Sequence, residues 1–303
     1  MAFSSLGRVK ILLKAGLALI FLVIVLIVLV SLYSGYSLIN PERTPLDRQP
    51  SHEMDYKDIK FSSRCGEEKL RGWYFPAEES TSTVIFAHGY EQNRLQGEIG
   101  LPLTKSLLQK GYNVLLFDFR NSGESSGSIT SIGQYETKDL LGAVDYISST
   151  KDDEKIVIHG FSMGAVAAIL AGSEEEKING VIADSPFANL TSYLEDNLSY
   201  WTNLPSIPFN WTITNSIRLT TKLQPDKVSP FNEVKNYDIP LLLIHGIEDE
   251  IIPLTASEKI LEAAPEKLVD LLIIPGAGHV AGYLDDEKKY TQNTIEFLEG
   301  AME

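Results

Sequence analysis

The sequence predicts an α/β fold: a mostly parallel eight-stranded sheet with helices on both faces and a small helical lid, preceded by one transmembrane helix. Three observations carry this. Short β-rich runs that are apolar on both faces alternate with stretches of helical periodicity, as expected of parallel strands covered on both sides. One long uncharged run lies near the N-terminus. An aromatic-rich interval, residues 187–230, breaks the alternation and holds no clear strand.

The uncharged run is Ala15 to Tyr33, "AGLALIFLVIVLIVLVSLY". At 1.5 Å per helical residue it is long enough to cross a bilayer core and longer than the apolar part of a usual signal peptide. It is read as a retained anchor in the cell membrane. Arg8, Lys10 and Lys14 precede it and no acid does, so the positive-inside rule places the N-terminus in the cytoplasm and the remainder extracytoplasmic. Residues 34–54, with three prolines, mixed charge and no apolar period, read as a tether.

The chain carries 26 basic and 41 acidic residues, a formal net charge of −15. Without the three anchor-flanking cations, the exported part stands near −18. That balance excludes nucleic acid as a partner and disfavours docking on anionic lipid through a basic patch. Cys65 is the only cysteine, which excludes an internal disulfide and a cysteine-based metal cluster. No spacing of metal ligands or cofactor fingerprint is visible, so neither a metal nor a cofactor is expected.

From about Asp55 onward a single domain is expected. "YKDIKFSS" and "KLRGWYFPA" read as an antiparallel pair at one sheet edge. "TVIFAHG" (83), "NVLLFDFR" (113), "KIVIHG" (155), "GVIADSP" (180), "PLLLIHG" (240) and "LVDLLIIPG" (268) read as the other six strands. Between them, Leu103 to Gln109 and Gln134 to Ser148 read as helices. The interval 187–230 contains Phe187, Tyr193, Tyr200, Trp201, Phe209 and Trp211. These aromatics are too many for a solvated loop; the interval reads as a small helical lid whose aromatics either pack onto the domain below, the commoner outcome, or line an apolar pocket over the serine.

The chemistry centres on "HGFSMGA", residues 159–165, between a strand and the helical "VAAILAG". Gly160, Ser162 and Gly164 give the spacing G-x-S-x-G. In that strand–turn–helix context a serine is held at the tip of a sharp turn, at the carboxyl end of a sheet where open α/β folds bind ligands. A neutral serine hydroxyl is a poor nucleophile and needs a base, and the base needs an orienting acid. In the chain order serine, acid, histidine, "HGIEDEIIP" supplies Asp249 and "PGAGHV" supplies His279, the only histidine after it. Glu248 and Glu250 flank Asp249 as competing carboxylates. His88 and His245 each precede a glycine at a strand end and read as turn-shaping. The backbone N–H groups of Met163 and of Tyr90, in the loop after the "TVIFAHG" strand, are the candidate donors to a developing oxyanion.

Taken together, "AHGY", "DFRNSGESSG", "HGFSMG", "ADSPF", "HGIEDEIIP" and "GAGH" stand in the order of the α/β-hydrolase superfamily, which the chain resembles from about Asp55 to its end. Within it, the chain is similar to the serine-aminopeptidase-like and monoacylglycerol-lipase-like hydrolases and to prolyl-oligopeptidase-type catalytic domains. Asn121 stands where the common D-x-R-G-x-G pattern has its first glycine. The resemblance implies a serine hydrolase acting through an acyl-enzyme; with the apolar N-terminal run and the aromatic interval, the expectation is a membrane-anchored enzyme that cleaves carboxylic esters with an apolar acyl group. The alternatives are a peptidase using the same groups and a non-catalytic domain that keeps the fold.

Overall fold

The computed structural model describes residues 2–52, 54–66, 68–151 and 154–302. They form two compact units, Asn40–Tyr193 with Gln224–Glu303, and Met1–Ile39 with Leu194–Leu223.

The larger unit holds an eight-stranded sheet. Its strands are β1 (Lys57–Ser62), β2 (Lys69–Phe75), β3 (Ser82–Ala87), β4 (Asn113–Asp118), β5 (Lys155–Phe161), β6 (Ile178–Asp184), β7 (Leu241–Gly246) and β8 (Val269–Ile274). They lie in the order β1-β2-β4-β3-β5-β6-β7-β8. β1 and β2 pair antiparallel at one edge, β2 joins β4 antiparallel, and every pair from β4 to β8 is parallel. This is the expected α/β-hydrolase architecture.

Alternate residues of each strand enter opposite cores. Ile85, Leu115, Ile158, Ala183 and Leu243 pack with Leu140, Val144 and Ile147 of α3 (Gln134–Thr150), with α4 (Met163–Glu174) and with Ile260 of α8 (Thr255–Ala263). Val84, Leu116, Val157, Ile182 and Leu242 pack with Leu103 and Leu107 of α2 (Gly100–Leu108), and with Tyr290 and Leu298 of α10 (Glu287–Ala301). Burial on both faces explains why these strands read as unbroken apolar runs.

Residues 40–50 have no helix or strand, but they are not a loose tether. Arg43 donates to the carbonyls of Ser125 (2.5 Å) and Gly127 (2.6 Å), Asn93 donates to Pro45 O (3.0 Å), and Arg48 pairs with Glu98. Mixed charge predicted a solvated chain; here the same charges satisfy loop carbonyls and a carboxylate.

The smaller unit contains α1 (Ala2–Ile39) and two helices from the aromatic interval, α5 (Leu190–Thr202) and α6 (Ser206–Thr221). α1 runs past Tyr33 to Ile39, and from Gly7 onward it is long and apolar enough to cross a membrane. The interval 187–230 is helical as expected, but it divides. Phe187 and Tyr193 stay with the sheet, stacked at 4.9 Å. Residues 194–223 group with α1 because α6 buries Ile213 and Ile217 and bonds to that helix.

Candidate active site

Ser162 follows β5 directly and caps α4 with φ 52° and ψ −114°, a left-handed backbone that a serine adopts only when its surroundings hold it there. The two glycines make the turn possible. A Cβ on Gly160 would lie 2.4 Å from Gly164 O, and one on Gly164 would lie 2.0 Å from Ala87 O at the end of β3. The G-x-S-x-G spacing is therefore a requirement of close backbone approach. Gly164→Ala is expected to cost about 3 kcal/mol, read as a lower urea midpoint. Gly300→Ala, with nothing within 4 Å in α10, should stabilise by a few tenths to about 1 kcal/mol.

The carboxyl ends of β7 and β8 bring the partners in. Gly246 lets the two following loops touch, since a Cβ there would sit 2.2 Å from Ala277 O. Glu248 N donates to that same carbonyl at 2.9 Å. Asp249 Oδ1 accepts from Ile251 N (2.9 Å) and Ile252 N (2.8 Å), and Oδ2 accepts from His279 Nδ1 at 2.7 Å. His279 Nε2 lies 2.9 Å from Ser162 Oγ. With its Nδ1 proton committed to Asp249, the imidazole presents Nε2 as an acceptor toward the serine hydroxyl. Glu248 and Glu250 are exposed. Burial pushes the Asp249 carboxyl up, but hydrogen bonds from His245 and His279, the His279 charge and the Ile252 N–H together hold it well below the usual carboxylate range.

The loop after β3 runs beside Ser162: the Cβ position of Gly89 is 3.6 Å from Ser162 Cβ and from Phe161 O. This puts the segment carrying Tyr90 next to the first turn of α4, where the Met163 amide begins the helix. The Tyr90 ring packs, partly buried, against the core on the α3 and α4 side of the sheet. Burial raises its hydroxyl well above the ordinary tyrosine range. Asn121 adopts φ 55°, the left-handed turn in which asparagine is the best substitute for glycine. His88 donates from Nδ1 to Gly89 O (2.8 Å) and accepts from Phe119 N at Nε2 (3.0 Å), fixing the turn before Tyr90.

Three supports lay outside the sequence-based expectation. His245, read as turn-shaping, has Nε2 2.8 Å from Ile252 O and 3.4 Å from Asp249 Oδ2, and so braces the acid's loop. Ser185, in "ADSP", accepts from Val280 N beside His279 (3.3 Å) and donates to Asp184 (2.9 Å). Asp184 also accepts from Tyr290 (2.9 Å), whose hydroxyl is 2.8 Å from His159 Nε2. Burial pushes the Asp184 carboxyl up to about 6 against those hydrogen bonds.

Burial also lowers His159 to about 3, and its Nδ1 has no partner to receive a second proton's hydrogen bond. The unfolded imidazole takes up a proton near pH 6.5, whereas the folded one resists to about pH 3. Its contribution is therefore complete above pH 6.5 and is lost as pH falls through that window. By pH 4 this amounts to about 3 kcal/mol. Asp184 has the opposite sign: its raised carboxyl costs stability as pH rises from about 4 to about 6 and returns it on acidification. The expected result is that His159→Phe loses less melting temperature between pH 7 and pH 4 than the parent chain. An equal or greater loss would show that His159 is not the group responsible.

Among the described residues, no group of three or more His, Cys, Asp or Glu side chains is arranged to hold a metal. A wide recess of about 780 Å³ lined by Lys110, Glu287 and Ile295 contains none of the residues above.

Residues 99–303 match the family model described as the prolyl oligopeptidase family. Among curated relatives, YqkD of Bacillus subtilis is 31% identical over 235 residues, covering 76% of this chain and 75% of its own. Human protein ABHD12B is 27% identical over 232 residues, covering 71% and 62%. The solved esterase Pf2001 of Pyrococcus furiosus superposes with a TM-score of 0.71 at 28% identity, covering 86% of this chain and 97% of that one. The acylaminoacyl peptidase of Pyrococcus horikoshii, at 23% identity and TM-score 0.63, shares the fold over 81% of this chain and 41% of its own. With the family model spanning most of the catalytic unit, the chain belongs to the prolyl oligopeptidase family of serine hydrolases, on an α/β-hydrolase fold.

Proposed function

We propose that the chain is a membrane-anchored carboxylic-ester hydrolase with its catalytic unit outside the cell membrane, acting on esters with an apolar acyl group. The observation that carries the chemistry is the hydrogen-bonded line Asp249–His279–Ser162. Ser162 Oγ attacks the carbonyl carbon as its proton passes to His279 Nε2, and the negative oxygen is held by the Met163 and Tyr90 amides. His279 then returns that proton to the departing alcohol oxygen. A water deprotonated by His279 releases the acid and restores Ser162. Asp249 stays ionised and faces the imidazolium throughout. No cofactor or metal takes part in this scheme, and nucleic acid is no partner of so acidic a chain.

The apolar acyl preference rests on Ile247 and Ile251 in the Asp249 loop and Leu284 just past His279, all exposed, and on the esterase among the solved relatives. Anchoring rests on α1 and orientation on Arg8, Lys10 and Lys14 before its apolar run. The family match favours a second reading, a peptidase using the same groups.

A panel of p-nitrophenyl esters and aminoacyl p-nitroanilides separates the two. The ester reading expects kcat/KM to rise with acyl length, each methylene contributing up to about 0.8 kcal/mol until the site is full. A preference for the anilides, or no dependence on chain length, would give the peptidase reading the field.

A further inference from the structure

We infer that α6 docks on the outer surface of the same bilayer that α1 spans, entering it with Trp211 and Leu219 while α1 holds it at that depth. The inference rests on the anchor reading above and adds a second membrane contact to it.

The smaller unit is built around a helix–helix clasp. Ser31 Oγ is 2.7 Å from Thr212 Oγ1, and Ser216 Oγ donates to Ser31 O at 3.0 Å. One turn later on α1, Gly35 is covered by α6: a Cβ there would lie 2.6 Å from Ser216 Oγ and 3.1 Å from Ile217 Cγ1. Small and hydroxyl residues four apart that admit a second helix this closely are the packing chemistry of helices in lipid.

The clasp fixes depth. The apolar run ends at Tyr33, so Ser31 and Gly35 bracket the level at which a spanning α1 leaves the hydrocarbon. α6 is therefore held at the interface. Tyr33 and Tyr36 are exposed on α1 at that level, where aromatic belts form.

The surface of α6 fits that location. Its inner face buries Ile213, Thr214, Ser216 and Ile217. Trp211 and Leu219, eight residues apart and so on one face, are 73% and 86% exposed, and Ile207 at its start is 87% exposed. α5, tied back through Asn210 Nδ2 donating to Glu195 O (2.7 Å), adds Tyr200 at 79%. In a chain of formal charge −15, α6 has no acid, and Arg218 is its single charge. Uncharged, aromatic and apolar, it suits insertion at a lipid surface.

The test uses the full-length chain reconstituted into phosphatidylcholine/phosphatidylglycerol vesicles containing lipid brominated high on the acyl chain. With Trp201→Phe as background, tryptophan fluorescence should be quenched, and adding Trp211→Phe should abolish the quenched component. Gly35→Leu should reduce the quenching while the chain still resists alkaline carbonate extraction and keeps its circular dichroism. A carbonate-resistant chain whose Trp211 is unquenched overturns the docking and leaves the anchor standing; so does shielding of Trp211 by cross-linking to a second copy. Extraction by carbonate removes the anchor reading and this inference with it. Unchanged quenching in Gly35→Leu overturns the clasp as the device that sets the depth.

Discussion

Replacing Ser162 by alanine is expected to abolish labelling by a fluorophosphonate probe and to lower kcat for the best ester by on the order of 10⁵- to 10⁶-fold. The size follows from the single nucleophilic oxygen in the line that His279 and Asp249 complete, so the remaining members have nothing to activate. The fold should survive, because Ser162 contributes its backbone to the turn through Ser162 N donating to Asp184 O at 2.8 Å, and alanine keeps that bond. A further substitution separates chemistry from conformation. Ser162→Gly should be as inactive as Ser162→Ala but more stable by about 1 kcal/mol, since glycine takes φ 52° without strain. The serine then stands out as a residue whose strained conformation persists for its hydroxyl alone. Substantial residual turnover with Ser162→Ala, measured with enzyme free of contaminating esterase, would remove Ser162 from the mechanism.

Much of this fold is visible in the sequence because its physics is local or periodic. Parallel strands buried on both faces must be largely apolar, so β3 to β7 announce themselves, while the edge strand β8 is only partly buried and admits Asp270. The turn at Ser162 needs glycines on either side for reasons of backbone approach, and that spacing is short enough to read directly. The chain order of Asp249 and His279 places them on adjacent loops once the strand order is known. What stayed hidden depends on contacts between distant, unpatterned polar residues. Nothing near Ser31 indicates that its hydroxyl meets Thr212, 181 positions away, so the division of the aromatic interval between two units could not be read from the sequence. Arg43 looked like a tether charge because its acceptors are backbone carbonyls, which no sequence displays. Asp184, Tyr290 and His159 come from three elements and meet only after the sheet and α10 have packed.

The choice of Asp249 over its neighbours has the next largest consequence. Asp249→Asn is expected to lower kcat/KM by on the order of 10⁴-fold while the loop keeps its backbone conformation. Asparagine can keep its carbonyl oxygen on Ile251 N and Ile252 N, the two bonds that shape the loop. Its amide NH₂ would then face His279 as a donor, where the carboxylate accepts the Nδ1 proton at 2.7 Å. The imidazole answers by carrying its proton on Nε2, which turns a donor toward Ser162 Oγ and leaves that hydroxyl without a base. Glu248→Gln and Glu250→Gln remove exposed charges of the same loop and should each stay within a few-fold of the parent. The Asp249 carboxyl is held well below the usual range, so it remains ionised above pH 4, and the defect of Asp249→Asn should not be rescued at any pH from 5 to 9. Measuring the three variants side by side decides the assignment: a collapse in Glu248→Gln with Asp249→Asn still active would move the orienting role to the neighbouring carboxylate.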